Sequence, residues 1–251
     1  MTNLVSFGND QAYQVTQETF IHELKETLKK LLLVNELHQL GPQPVSIERS
    51  HLPNLSKKYY TSLKIDGIRL FLFIGVVQRK KVVLFINRKF DIFIIRAKVP
   101  TELYNGTLVD GEFYQNIFYV FDCNSISEKN TMQCKFSDRL EYCKAVTTSI
   151  SSNVCTFETK HFEIYNKKNQ SPSTNLDADG FVFMPDESPV ILGTHKTFYK
   201  WKNGYDNTID FFIDENHKLC LLRSKAIVKT CNKIAYTFIN DNDIQAHKIY
   251  E

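Results

Sequence analysis

Between Tyr59 and Asp122 the chain breaks into a succession of short apolar runs: Tyr59–Ile65, Ile68–Val77, 81–86, 92–95, Thr107–Tyr114 and 117–122. Each is rich in β-branched and aromatic residues and is bounded by a polar or glycine-containing break, the pattern of sheet and not of helix. Connections this short favour antiparallel neighbours. Similar runs resume at 180–184, 198–201, 209–213, 219–222 and 235–239. The clearest helix precedes them, over 17–37, where Phe20, Ile21, Leu24, Leu28, Leu31 and Leu32 recur at helical spacing opposite Glu23, Lys25, Glu26, Lys29 and Lys30. Thr16 is the expected cap, and Gly41-Pro42 stops the chain after it. A second helix is predicted over 137–146 with Ser137 as cap, and 166–175 reads as a polar loop. The fold class is therefore α+β, mainly antiparallel sheets with flanking helices.

Composition narrows the function. The 251 residues are 43% hydrophobic and 24% charged, with a formal net charge of +3, so the chain has ample material for a core and no global charge that would by itself hold a polyanion. Any such binding must come from a local cluster. The longest apolar run, 70–77, is far short of the ~20 residues of a membrane span. The first residues carry Asn3, Asn9 and Asp10 instead of a basic start and an apolar run, so no secretory signal is expected, and an intracellular setting follows (cytoplasm, nucleus or virion). The six cysteines, Cys123, Cys134, Cys143, Cys155, Cys220 and Cys231, show no metal-ligand spacing and read as reduced, packed thiols.

Chemistry concentrates in a few segments. Tyr60-Thr61-Ser62-Leu63-Lys64-Ile65-Asp66-Gly67-Ile68-Arg69 sets a lysine at the end of one apolar run and an Asp-Gly turn before the next. Leu108-Val109-Asp110-Gly111-Glu112-Phe113 follows, then Phe118-Tyr119-Val120-Phe121-Asp122, Asp179-Gly180-Phe181-Val182-Phe183 and Tyr199-Lys200-Trp201-Lys202. Taken singly each segment is commonplace. In this order the set resembles the covalent nucleotidyltransferases, the family of mRNA capping guanylyltransferases and ATP-dependent DNA and RNA ligases. Gln43-Pro44-Val45-Ser46, Phe85-Ile86-Asn87-Arg88 and the continuation to Asn207-Thr208-Ile209-Asp210-Phe211 make it most similar to the capping branch.

That resemblance implies a nucleotidyltransferase domain of the ligase and capping-enzyme, ATP-grasp-like type over 1–213, with 1–40 as a helical lead-in and 214–251 as a short β-type segment. It implies mRNA guanylyltransferase activity, in which GMP passes from GTP through a lysyl intermediate to the 5′-diphosphate end of RNA. The alternatives are an ATP-dependent RNA or DNA ligase using the same lysine, or a nucleotide-binding subunit that needs a partner for turnover. Lys64 would be the nucleophile, attacking as the neutral amine, which calls for desolvation and nearby cations. The resemblance places Arg69 at the ribose, Arg88 on the sugar-phosphate side, and Lys200 and Lys202 at the α-phosphate. Lys200 and Lys202 share one strand face, with Trp201 on the other. Glu112 and Asp179 would serve Mg²⁺ or Mn²⁺, since hard oxygen donors suit such ions, and Glu112 could equally hold the ribose or orient Lys64; Asp110 reads as structural. Phe118 aligns with the base-stacking aromatic, and Lys160 is the candidate donor to guanine O6 and N7.

Family members close over the nucleotide with a C-terminal OB-fold. Residues 211–251 offer fewer than the roughly 60 residues such a barrel needs, so that domain is expected to be truncated, diverged, absent or supplied by a partner chain. RNA triphosphatase and methyltransferase steps would likewise lie on other chains. Heavy use of Asn, Ile, Lys and Phe suits an AT-rich viral or plasmid genome.

Overall fold

The computed structural model describes residues 2–166, 178–202, 211–213, 219–223, 226–229 and 249–250. The expected polar loop, apart from Asn166, and the run at 235–239 lie outside these residues. In chain order the strands are β1 (Thr2–Phe7), β2 (Asp10–Val15), β3 (Pro42–Ser46), β4 (Tyr59–Ile65), β5 (Ile68–Val77), β6 (Lys80–Asn87), β7 (Ile92–Ile94), β8 (Thr107–Tyr114), β9 (Ile117–Ile126), β10 (Lys129–Asn130), β11 (Thr156–Thr159), β12 (Glu163–Ile164), β13 (Ala178–Pro185) and β14 (Gly193–Lys202); helices α1 (Glu18–Leu32) and α2 (Phe136–Ser149) flank them. One sheet runs β1-β2-β7-β6-β5-β8-β9-β10, with β11 added parallel to β9. The other runs β12-β4-β13-β14-β3, with β3 parallel to β14.

The large sheet is buried on both faces, which is why 70–74 is apolar without a break. Leu70, Leu72 and Ile74 join Phe85, Val109, Phe118 and the α2 residues Cys143 and Val146 in one core cluster. Phe71 and Phe73 point the other way and meet Phe20, Leu24, Leu28 and Leu32 of α1, a burial on the order of 1.5–3 kcal/mol per side chain.

Both helix starts differ from the sequence expectation. Gln17, not Thr16, precedes α1 and makes no side-chain cap, and the helix ends at Leu32, well before Gly41, because Leu33 takes the left-handed conformation (φ 58°) and returns its amide to Lys29 and Lys30. At α2 the residue before the first turn is Lys135. The capping acceptor comes from far along the chain: the Ser137 amide donates to the Asp186 carboxylate at 2.9 Å, and the Phe136 amide donates to the Asp186 carbonyl. The stretch before α1, expected to be helical, instead opens with the β1–β2 hairpin. Its Gly8 turn lies so close to Val154 that a side chain there would strike the Val154 carbonyl.

Residues 1–202 form one compact unit and 203–251 another. In the second, β15 (Phe211–Ile213), β16 (Leu219–Arg223), β17 (Ala226–Lys229) and β18 (Ile249–Tyr250) pair antiparallel in the order β17-β16-β15-β18. No helix among the described residues is long and apolar enough to cross a membrane.

Candidate active site

The Asp66-Gly67 turn does not make a hairpin. β4 belongs to the smaller sheet and β5 to the larger, so this turn carries the chain from one sheet to the other and leaves Lys64 in the cleft between them. Gly67 is required by contact: a Cβ would meet the Phe113 carbonyl and the Glu112 side chain. Gly180 is required in the same way by the Trp201 carbonyl.

Strand alternation then sorts the cleft. In the smaller sheet Ser62 pairs with Val182 and Val182 with Lys200, while Gly180 pairs with Lys202. The even-numbered residues Lys64, Val182, Met184, Phe198, Lys200 and Lys202 line a cavity of about 580 Å³. The odd-numbered Phe183 and Tyr199 pack behind the sheet, with Phe181 against them. The larger sheet contributes Arg69, Glu112 and Phe121 to the opposite wall, and the loop after β6 adds Arg88.

At the head of this cavity the Lys64 ammonium lies 2.8 Å from both Asp179 oxygens and donates its hydrogen bond to Oδ2. Lys202 reaches the same Oδ2 at 2.8 Å. Asp179 thus joins a lysine from β4 to a lysine from β14. Burial alone would raise its carboxyl, but the hydrogen bonds from Lys202 and Lys64 hold it below the usual carboxylate range.

Farther along the wall, Lys160 is 8% exposed, and no described residue accepts a hydrogen bond from its ammonium. That group sits 5.6 Å from the Phe121 ring and 6.0 Å from the Phe162 ring. Burial pulls its pKa down to about 8, against the opposing pull of Glu112. Glu112 is itself pushed up by burial, with Lys160 drawing it back. A buried cation with no hydrogen-bond acceptor, aimed into a cavity, is costly unless something else enters to accept from it.

Two expected roles change in this geometry. Phe118 is fully buried and lies edge-on to Phe85 and Phe157 in the core, so it has no face to offer a base. The aromatic rings at the cavity are Phe121, Phe162 and Phe198; Phe121 sits on the opposite face of β9 from Phe118 and Val120. Arg69, expected at the ribose, lines the cavity but has its guanidinium engaged elsewhere. Its Nε donates to Asp110 Oδ1 at 2.9 Å, its Nη2 to Asp110 Oδ2, and its Nη1 to the Pro42 carbonyl at 2.7 Å. It therefore ties β5 and β8 of one sheet to β3 of the other. Burial pushes the Asp110 carboxyl up to about 6 despite Arg69, while the same pair holds Arg69 charged against its own burial. Arg139 makes a parallel buried pair, donating to Asp122 at 2.6 Å and to the Cys134 carbonyl. Sequence reasoning singled out neither Arg139 nor Phe121; their only signals were an arginine inside an otherwise amphipathic helix and the parity of β9.

A divalent cation was expected at Asp179 and Glu112. No cluster of three His, Cys, Asp or Glu side chains gathers among the described residues. Mg²⁺ needs no such cage, because it takes most of its ligands from water and phosphate. Asp179 Oδ1, enclosed and accepting no hydrogen bond despite the nearby Lys64, supplies one hard donor of the kind such an ion uses. Glu112 faces Lys160 instead. The cysteines Cys123, Cys134, Cys143 and Cys155 are free thiols.

The family model for the mRNA capping enzyme catalytic domain matches residues 7–204. The chain is 28% identical over 235 residues to the mRNA-capping enzyme subunit alpha of Neurospora crassa, covering 78% of this chain and 58% of that protein. It is 27% identical to the subunit of the same name from Schizosaccharomyces pombe over 232 residues, covering 77% of this chain and 58% of the other. For the Saccharomyces cerevisiae subunit the identity is 27% over 215 residues, covering 68% and 47%. The chain thus spans about half to three-fifths of the length of these relatives. Among solved structures, the ATP-dependent DNA ligase from bacteriophage T7 in complex with ATP aligns at a TM-score of 0.43 with 10% identity, over 79% of this chain and 82% of that one. With the family model covering most of its length, the chain belongs to the mRNA capping enzyme catalytic-domain family.

Proposed function

We propose that this chain is a GTP:RNA guanylyltransferase working through a covalent lysine adduct. The observation that carries the reading is the lysine pair on one carboxylate: Lys64 and Lys202 both meet Asp179 at 2.8 Å at the head of the cavity. In the first half-reaction the neutral Lys64 amine attacks the α-phosphorus of GTP. A P–N bond forms, the bond from the α-phosphorus to the bridging oxygen breaks, pyrophosphate leaves with that oxygen, and the amine proton passes to solvent. Lys200 and Lys202 neutralise the charge that gathers on the α-phosphate. In the second half-reaction a β-phosphate oxygen of 5′-diphosphate RNA attacks the same phosphorus, the P–N bond breaks, and the Lys64 amine is regenerated on taking up a proton.

A divalent ion held by Asp179 would neutralise phosphate charge and stabilise the departing pyrophosphate. Asp179 would exchange its lysine partners for the cation as the nucleotide enters, leaving Lys202 to the phosphates. Lys160 supplies a donor for the O6 and N7 acceptors of guanine, where adenine presents its N6 amine beside N7, with Phe121 and Phe162 as apolar walls for the base. The name shared by the relatives, subunit alpha, supports a second chain in the working enzyme that supplies steps this one lacks.

The test is incubation with GTP or ATP labelled at the α-phosphate, with Mg²⁺. Label from GTP that survives denaturation, and is lost in Lys64→Ala, is the expected result. Labelling by ATP alone would replace this reading with a ligase.

A further inference from the structure

Beside the main cavity lies a second, of about 110 Å³, which shares Arg69, Asn87 and Arg88 with it. Its chemistry differs. The main cavity is lined in part by Asp66, Asp91 and Glu112, whereas no acidic residue among those described lines the second. Its other walls include the carboxamides Gln39 and Gln43 and the rings of Phe71 and Phe90. Carboxamides both donate and accept hydrogen bonds, as a nucleobase edge demands, and flat rings give a base its apolar contact.

The wall between the two cavities is held in place. Asn87 accepts from the Lys89 and Asp91 amides and donates to the Asp91 carboxylate at 2.8 Å, which fixes the loop carrying Arg88 and Phe90. Phe90 takes a positive φ of 65°, and the Lys25 ammonium caps its ring at 4.8 Å. Gly41 forms the close side: a Cβ there would collide with Asp110, Arg69 and the Phe71 ring. Arg69 is occupied by Asp110, whereas Arg88 is exposed and borders both cavities. An exposed guanidinium that borders both cavities is placed for a phosphate that spans them.

We infer that the second cavity seats the 5′-terminal nucleotide of the RNA acceptor, with its leading base between Gln43 and Phe90 and its diphosphate against Arg88, directed toward Lys64. This rests on the guanylyltransferase reading and adds to it the place from which the second substrate attacks.

The two half-reactions separate the inference from its premise. The adduct is formed with GTP, freed of excess nucleotide and chased with a short 5′-diphosphate RNA, using the wild-type chain, Gln43→Leu and Phe90→Leu. Adduct formation is expected to stay within about twofold of wild type, while the RNA concentration for half-maximal transfer rises about tenfold, the effect of one lost hydrogen bond or ring contact. Unchanged transfer overturns the inference, as does an equal fall in both half-reactions. A selective loss of pyrophosphate-driven adduct reversal would also overturn it, by assigning the cavity to the leaving group. If the wild-type chain forms no adduct, the guanylyltransferase reading fails. The inference then stands or falls on binding of labelled 5′-diphosphate RNA against 5′-hydroxyl RNA of the same sequence: a preference that both variants reduce supports it, and equal binding overturns it.

Discussion

Replacing Arg69 with methionine separates an inter-sheet tie from a ribose contact. Asp110 is fully buried and receives two of the three hydrogen bonds that Arg69 donates, while the third goes to Pro42 on the other sheet. Removing the guanidinium leaves a carboxylate without its cation in the interior, a change that costs about 3–5 kcal/mol where it has been measured. The Pro42 carbonyl also loses its donor, at about 1 kcal/mol more. Because burial already pushes Asp110 up to about 6, the variant escapes part of this cost by protonating, so its deficit should be larger at pH 8 than at pH 5. Arg69→Met with Asp110→Leu removes both charges and should recover most of the loss, since an apolar pair of similar volume is tolerated where a lone charge is not. Urea unfolding of the three proteins at both pH values measures this. A single-variant loss under 1 kcal/mol, together with a large fall in GTP affinity, would refute the structural role and restore Arg69 as a nucleotide contact.

Lys160→Met should weaken GTP binding at least tenfold. In the wild-type chain, affinity measured by titration should fall as pH rises through about 8, where Lys160 gives up its charge. Stability without ligand runs the other way: the folded state holds this proton less tightly than the unfolded state, so stability rises with pH between about 8 and the ordinary lysine value of 10.5, and a flat denaturation profile there would contradict the burial argument. Phe118→Leu should lower stability by about 1–2 kcal/mol and leave GTP affinity unchanged, whereas Phe121→Leu should raise the GTP dissociation constant; the reverse pattern would return the base to Phe118. Leu28→Ala, on the fully buried face of α1, should cost about 2–5 kcal/mol in urea unfolding, and a loss below 1 kcal/mol would mean that α1 packs loosely on the sheet.

The strands that carry the motifs were the most legible part of the chain. β4, β5 and β8 begin and end where their apolar runs do, at Tyr59–Ile65, Ile68–Val77 and Thr107–Tyr114; for β5 and β8 the reason is that the middle of the large sheet is covered on both faces. The partition into two sheets was not legible. Asp66-Gly67 is the same dipeptide whether it closes a hairpin or passes between sheets, and only the pairing partners of β4 and β5 distinguish the two. The hairpin before α1 went unread because Asn3, Ser6, Asp10, Gln11 and Gln14 dilute its alternation, and what orders it is contact between Phe7 and the distant rings of Phe85, Phe93 and Phe113. Asp186 capping α2 and Arg69 reaching Pro42 are likewise tertiary events with no local signal. For Phe118 and Phe121 the strand was read correctly and its facing was not: one residue of parity separates a core ring from a cavity wall.

The central claim is that Lys64 becomes covalently guanylylated, and peptide mapping tests it most directly. After incubation with GTP and Mg²⁺, denaturation and digestion under conditions that spare the P–N bond, tandem mass spectrometry should place one guanylyl group on Lys64 and on no other residue. A guanylyl group on Lys160, Lys200 or Lys202 instead, or a chain that binds GTP tightly and carries no adduct, would contradict it.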